Sequence, residues 1–197
     1  MSESTLRVDR WNERFARLAA DELIQPDALL EAACAGLAPG LALDLACGAG
    51  RHAISLASRG YRVTAVDFAD VGLELMLARA RKLGCADSID ARLCDLEADP
   101  PALALGSGAY DLIVDVHFLH RPLWPSIRQG VRVGGRFAAA LHVGQPGEPV
   151  PHRYTLAPGE LEATVRGWGY RVLMASELSA QDGEGPACAR IVAERIR

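Results

Sequence analysis

Paired cysteine motifs are absent from this sequence. Its five cysteines are scattered along 197 residues, and no two of them form a CxxC pair. This spacing argues against both a disulfide framework and a zinc site, and it fits a reducing compartment. No apolar run approaches the roughly 18 to 20 residues that a membrane-spanning helix needs, and the polar first residues lack the apolar core of a signal peptide. We therefore predict a cytoplasmic protein with no metal site and no membrane partner.

An excess of basic charge is also missing. The formal net charge is −4 and the isoelectric point is about 5.7, so no overall positive field draws the protein to nucleic acid, and we predict no nucleic-acid partner. Hydrophobic residues make up 50% and charged residues 23%, a balance typical of globular proteins. The length suits one domain and is short for two. We predict a single domain over residues 1–197, with N-terminal helices in 1–38 and the core in 39–197.

Helix and strand patterns alternate along most of the chain. The first two predicted elements are helices, one with Trp11, Phe15, Leu18 and Ala19 on a single face and one from Pro26 to Leu37. Further helices are predicted at 51–59, 71–83, 122–131 and 158–166. Strands are predicted at 41–45, 61–66, 89–94, 111–116, 136–143, 170–176 and 188–195.

The alternation predicts an α/β fold in which right-handed crossovers connect the strands of a mostly parallel sheet, with helices on both faces. The last two strands differ, because the connection between them, ELSAQDGEGPA, carries no helical pattern. We therefore predict that they pair as a hairpin, which places one antiparallel strand in an otherwise parallel sheet.

A turn of small residues follows the first of these strands. It reads DLACGAGR, with an acid before the turn and a helix after it. Gly48 and Gly50 let a ligand approach the backbone, and the helix N-terminus supplies unpaired N–H groups. Asp67 ends the next strand, where a carboxylate can bind both hydroxyls of a ribose. If Asp67 lies in an open crevice, replacing it with alanine should affect folding little. The pattern predicts a nucleotide site.

Two residues bear on which nucleotide binds. The dinucleotide motif GxGxxG is not matched, because Ala53 stands at the third glycine position, although some proteins tolerate alanine there. Asp44 would sit poorly beside a pyrophosphate but well beside a sulfonium or an amino group. An NAD(P)-dependent oxidoreductase remains an alternative at this point.

The stretch DLACGAGRHAISLASRGYRVTAVDFA resembles the first two motifs of class I S-adenosylmethionine-dependent methyltransferases. The likeness continues in RLCDLE, YDLIVDVHFLH and VGGRF. Within the class, WNERF and PHRYTLAPGEL are similar to the tellurite-resistance-type methyltransferases. The resemblance implies a Rossmann-like sheet of seven strands with an antiparallel last strand. Two positions depart from the family pattern: Ala46 replaces the first glycine of the loop, and Val133 replaces a proline before the fifth strand.

The resemblance also implies S-adenosyl-L-methionine as methyl donor, S-adenosyl-L-homocysteine as product, and an N-terminal helical lid that includes Trp11, Asn12 and Arg14. Asp44 is expected at the methionine end of the donor, Asp67 at the ribose and Asp95 at the adenine amino group. The residues expected to bind the donor are Arg14, Asp44, Ala46, Gly48, Gly50, Asp67, Phe68, Asp95, Leu96, Asp115 and Val116.

The loops after the fourth and fifth strands overhang the reactive methyl group in this family. A histidine there could act as a base, and an arginine could hold an anionic acceptor. The predicted catalytic residues are His120, Arg121, His152 and Arg153, with His117 and His142 as further candidates. We predict a small-molecule acceptor and a monomer or homodimer. A protein that binds the donor without turning it over remains an alternative.

Overall fold

A computed structural model describes residues 3–19, 25–98, 103–144, 153–178 and 186–197. The helices are α1 (Glu3–Ala16), α2 (Leu29–Cys34), α3 (Arg51–Ser58), α4 (Asp70–Lys82), α5 (Trp124–Gly130) and α6 (Glu160–Gly167). The strands are β1 (Leu41–Leu45), β2 (Arg62–Asp67), β3 (Ile89–Leu93), β4 (Tyr110–Val116), β5 (Val131–His142), β6 (Arg171–Leu178) and β7 (Cys188–Glu194). They form a seven-stranded sheet in the order β3-β2-β1-β4-β5-β7-β6, which confirms the predicted fold class.

The chain divides into two compact units. The first comprises Met1–Asp27 and Pro39–Leu103, and the second comprises Ala28–Ala38 and Ala104–Arg197. The organisation of residues 1–197 as one domain stays a prediction. In the first unit β1, β2 and β3 run parallel. Helix α3 packs on β1 and β2, and α4 packs on β2 and β3. Helix α3 therefore packs on β1, the strand from which the small-residue loop departs.

The second unit contains the hairpin that the sequence predicted. Strand β4 is buried along its whole length and runs parallel to β5, as a strand covered on both faces should. Strand β7 is antiparallel to both β5 and β6, so the predicted hairpin is confirmed. Helices α2 and α6 pack on β7. The Arg136 guanidinium donates to the carbonyls of Ala33 and Ala35 at 2.9 and 2.7 Å, so it satisfies C-terminal carbonyls of α2.

Both N-terminal helices are placed differently from the prediction. Helix α1 begins at Glu3 and ends at Ala16, so Leu18 and Ala19 follow the helix instead of lying on it. Helix α2 covers Leu29–Cys34 and not the longer stretch from Pro26 to Leu37. Gly36 follows it with a φ of +70°, a left-handed conformation that stops a helix. No helix in the described ranges has the length and apolarity that crossing a bilayer requires.

Strand β5 also begins earlier than predicted, at Val131 instead of Arg136. The register between β4 and β5 shifts between Tyr110 and Leu112, so the predicted turn at the two glycines is an irregularity inside the strand. A Cβ on Gly135 would lie 2.8 Å from the carbonyl oxygen of Asp111. Glycine is required there because two backbones approach too closely for a side chain.

Candidate functional site

The loop between β1 and α3 turns through three residues of positive φ. These are Ala46 at +50°, Gly48 at +52° and Gly50 at +79°. Glycine adopts this conformation at little cost, whereas an alanine such as Ala46 is strained by about 1 kcal/mol. The backbone N–H of Gly50 closes the turn on the carbonyl of Cys47 at 2.9 Å. The departure from the family pattern at Ala46 therefore leaves the tight turn intact.

Asp67, at the end of β2, holds this loop in place. Its Oδ2 accepts from the backbone N–H of Gly48 at 2.7 Å, and its Oδ1 accepts from that of Ala69 at 2.8 Å. Burial raises the pKa of the Asp67 carboxyl, and these backbone donors oppose the rise. The side chain is not in an open crevice, because the residue is only 4% exposed. Replacing Asp67 with alanine should therefore weaken folding as well as ligand binding.

Asp44, near the end of β1, is the most deeply buried acid among the described residues of the first unit. The residue is 1% exposed, and its Oδ2 has no hydrogen-bond partner among the described residues. Burial raises the pKa of Asp44 from 3.8 to about 7; the negative charge of Asp67 adds to this, while the backbone N–H of Ala53 and the charge of Arg51 oppose it. A buried carboxylate oxygen without a partner is costly, so this position suits a cationic or N–H-bearing ligand group.

Helix α1 lies directly against the loop. A Cβ on Gly48 would lie 2.9 Å from Cζ of Phe15, and one on Gly72 would lie 2.9 Å from Cδ2 of the same ring. Asn12 donates to the carboxylate of Asp70 at 2.6 Å, and its Oδ1 accepts from the N–H of Val71 at 3.3 Å. These contacts fix α1 over the start of α4 and over the glycines of the loop.

The predicted adenine-contacting residues also meet α1. Arg7 donates to Oδ2 of Asp95 at 2.9 Å and pairs with Glu97 at 2.5 Å. Its guanidinium carbon lies 5.3 Å from the centre of the Phe68 ring, a cation–π distance. Leu96 is buried beside them. One arginine of the N-terminal helix thus contacts both Phe68 and Asp95.

Arg14, which the sequence placed in the donor site, is exposed on α1. Its guanidinium carbon lies 4.8 Å from the centre of the Trp11 ring. Arg7, which the sequence analysis missed, instead contacts Phe68 and Asp95, two of the residues predicted to bind the donor. The sequence does indicate where Arg7 lies, because Arg7, Trp11 and Phe15 are spaced four residues apart and therefore share a helix face. A donor-binding role for Arg14 stays a prediction.

Comparison with known proteins shows which class of domain contains a loop of this kind. Residues 42–135 match a family model described as a methyltransferase domain. The probable S-adenosyl-L-methionine-dependent methyltransferase TehB of Haemophilus influenzae is 29% identical over 143 residues, which are 68% of this chain and 48% of that protein. The chain is therefore similar to methyltransferase domains over these residues, and to a probable S-adenosyl-L-methionine-dependent methyltransferase over a longer stretch. The predicted likeness to the tellurite-resistance-type enzymes is confirmed, and the chain spans about half the length of the curated relatives it matches.

Solved structures show the same fold. The crystal structure of TehB from Haemophilus influenzae superposes with a TM-score of 0.68 at 24% identity, covering 94% of this chain and 67% of that one. Geranyl diphosphate C-methyltransferase from Streptomyces coelicolor A3(2), solved with Mg²⁺, geranyl diphosphate and S-adenosyl-L-homocysteine, gives 0.70 at 14% identity, covering 98% and 99%. These likenesses show that the chain has the fold of the S-adenosyl-L-methionine-dependent methyltransferases.

The remaining predicted donor residues, Asp115 and Val116, belong to the second unit. They end β4 and are buried, with exposures of 1% and 8%. The predicted catalytic residues follow them. His120 is half-buried, with its ring centre 6.4 Å from that of Phe118. His152 lies outside the described residues. Arg153 is exposed, with its guanidinium carbon 4.8 Å from the centre of the Tyr154 ring.

Arg121 is held by a carboxylate that the sequence analysis did not single out. Its Nε and Nη2 donate to the two oxygens of Glu160 at 2.5 and 2.8 Å, and Nη2 also donates to the carbonyl of Thr155 at 3.0 Å. The hydrogen bonds from Arg121 are the main reason why the pKa of Glu160 is lowered. The arginine therefore anchors the segment before α6 to the segment after β4. An anion-binding role for Arg121 stays a prediction and would require breaking a bidentate pair.

We expect Arg7→Ala to raise the affinity for S-adenosyl-L-homocysteine by about threefold to tenfold. The mutation frees Asp95 and the Phe68 face from a half-buried ion pair worth about 1 kcal/mol. Calorimetric titration measures the change. Arg10→Ala, on the same helix and with the same loss of charge, is the control and should leave the affinity unchanged. A weaker affinity in Arg7→Ala would show instead that Arg7 helps to hold the ligand.

Proposed function

We propose that this chain transfers the methyl group of S-adenosyl-L-methionine to a small-molecule acceptor. The observation that carries the proposal is Asp44, a buried carboxylate with an unpartnered oxygen, beside a loop that Asp67 holds in a tight turn. The donor supplies a methyl group already activated by positively charged sulfur. The protein's contributions are then to bind, align and exclude water.

Three acids, Asp44, Asp67 and Asp95, can accept the hydrogen bonds that binding of the methyl donor requires. Asp44 can accept from the cationic amino group at the methionine end of the donor. Asp67 uses one lone pair on each oxygen for the loop N–H groups, and a carboxylate offers about four such positions, so it can still accept from ribose hydroxyls. Asp95 can accept from the adenine amino group once Arg7 has moved from it.

The alternatives fit the site less well. A dinucleotide would bring its pyrophosphate to the loop beside Asp44, where a second negative charge would be repelled. A protein that binds the donor without turnover would not need an acceptor side, and the match to a methyltransferase domain favours transfer. A small acceptor is supported by the geranyl diphosphate bound in the Streptomyces coelicolor relative. We also propose that the protein is cytoplasmic and is a monomer or a homodimer.

We expect S-adenosyl-L-homocysteine to raise the melting temperature. A ligand present at about 100 times its Kd stabilises the folded state by about 2.7 kcal/mol, which for a chain of this length is a shift of roughly 5 to 10 °C. Thermal unfolding at increasing ligand concentration measures this, with NADH as the matched control. The absence of a shift at millimolar S-adenosyl-L-homocysteine would contradict the proposal, and a larger shift with NADH would support the oxidoreductase.

A further inference from the structure

His117 has a left-handed backbone conformation, which residues other than glycine adopt uncommonly. Its φ is +63°, and among the described non-glycine residues only Ala46 also has a positive φ. Ala46 lies in the loop between β1 and α3, directly after β1, and His117 directly follows β4. Strain of this kind collects at binding and catalytic sites, where surrounding contacts maintain it. The position after β4 is also where ligands of open α/β sheets bind, at the carboxyl ends of the strands.

Contacts with β5 maintain the conformation of His117. Its backbone N–H donates to the carbonyl of Ala140 at 2.8 Å, which continues the β4–β5 ladder by one residue. Its imidazole is stacked on that of His142, with ring centres 4.6 Å apart and planes 11° apart. His142 is the last residue of β5, so the end of the sheet fixes its ring. The outer ring, that of His117, belongs to an exposed residue.

The pair has polar capacity for a ligand. Nδ1 of His142 is buried and has no hydrogen-bond partner among the described residues. A neutral imidazole offers one N–H donor and one lone pair, and it is the side chain best suited to take a proton near neutral pH. The described residues contain no group of three or more histidine, cysteine or acidic side chains that could hold a metal ion. The two imidazoles can take part in hydrogen bonding and proton transfer.

We propose that His117 contacts the methyl acceptor and takes its proton, that His142 is the residue that positions His117, and that the acceptor nucleophile is a protic heteroatom, as in a thiol or a phenol. This deepens the proposed function and rests on it. The acceptor heteroatom forms a bond to the methyl carbon, and the carbon–sulfur bond of the donor breaks with its electron pair remaining on sulfur. The proton of the heteroatom passes to an imidazole nitrogen of His117 and then to water.

The first test is His117→Asn, assayed by release of S-adenosyl-L-homocysteine with thiophenol and with catechol. Asparagine tolerates positive φ, so the backbone is kept while the base is lost. We expect turnover to fall at least 100-fold and the Kd for S-adenosyl-L-homocysteine to change less than twofold. Arg166→Gln, an exposed change on α6, is the control and should match wild type.

The second test separates chemistry from folding. His117→Gly relieves the backbone strain, so its melting temperature should equal or exceed that of wild type while turnover is lost. Free imidazole should restore part of the turnover of this variant. His142→Phe keeps a stacked ring without its nitrogens and should lower kcat about tenfold with a smaller change in KM.

The outcomes are distinguishable. A wild-type protein that does not bind S-adenosyl-L-homocysteine would contradict the proposed function and this inference with it. A wild type that binds it but methylates neither protic probe, or that prefers dimethyl sulfide as an aprotic acceptor, would overturn the inference alone. So would turnover of His117→Asn within threefold of wild type, or the absence of rescue by imidazole.

Discussion

Replacing Gly50 with alanine should destabilise the protein by about 3 kcal/mol. The residue has a φ of +79°, which costs a residue with a Cβ roughly 1 to 2 kcal/mol. The new Cβ would also lie 2.1 Å from Cγ and 2.8 Å from Cβ of Met76, a fully buried side chain of α4. Overpacking of a core costs roughly 1 to 3 kcal/mol, and these atoms lie close to the backbone, so they cannot move aside freely.

Gly84→Ala is the matched control for this prediction. Gly84 follows α4 with a φ of +71°, but a Cβ there would meet nothing within 4 Å. It should therefore show only the conformational cost, roughly 1 to 2 kcal/mol. Urea unfolding of both variants measures the difference. Equal free energies of unfolding for the two would mean that α4 shifts easily to make room at Gly50. The first unit would then be more plastic than its packing indicates.

The loop between β1 and α3 could be predicted from sequence because the residues that indicate it are adjacent in the chain. An apolar strand, an acid, small residues and a helix follow one another, and each requires a backbone conformation that its own residues favour. The structure shows the predicted turn, with Gly48 and Gly50 at positive φ. The mostly parallel sheet also followed, because strands that alternate with helices are connected by right-handed crossovers. The hairpin of the last two strands followed from a connection that could not form a helix.

The contacts of Arg7 and Glu160 could not be predicted in the same way. Arg7 meets Asp95 across 88 residues, and Glu160 meets Arg121 across 39. A charged residue on a solvated helix face has the same local pattern whether or not a partner lies opposite it. The stacking of His117 on His142 likewise depends on the register of β4 and β5, which is set by an irregularity near Gly135. Periodicity does not report such a shift.

Asp44→Asn should make the protein more stable at pH 8 and nearly abolish tight donor binding. The folded-state pKa of Asp44 is raised by burial to about 7, above the ordinary 3.8 of an unfolded chain. The folded state therefore holds a proton that the unfolded state releases between these values. Stability falls as pH rises through this window, by up to about 4 kcal/mol for roughly three pKa units, and the loss is complete above pH 7.

Asparagine carries no charge, so the variant avoids this loss. Its amide must find a partner where Oδ2 of Asp44 has none, which costs about 1 to 3 kcal/mol. The net expectation is that Asp44→Asn is about 2 kcal/mol more stable than wild type at pH 8 and no more stable at pH 5. Urea unfolding at the two pH values measures the difference. Asp111→Asn is the control, because Asp111 is buried but pairs with Arg132 at 2.6 Å, and its loss should destabilise at pH 8.

Donor affinity should show the opposite trend. The cationic amino group of S-adenosyl-L-homocysteine favours the ionised form of Asp44, and for a pKa of about 7 the ionised fraction rises roughly tenfold between pH 6 and pH 8. The Kd of wild type should therefore be about tenfold lower at pH 8 than at pH 6. Asp44→Asn should bind about 100-fold more weakly than wild type at pH 8, the scale of a charge-assisted hydrogen bond, and its Kd should not change with pH. Calorimetric titration at the two pH values measures both Kd values.

A wild-type Kd that is the same at pH 6 and pH 8 would mean that Asp44 does not contact the amino group. Burial of Asp44 would then be a property of the fold alone.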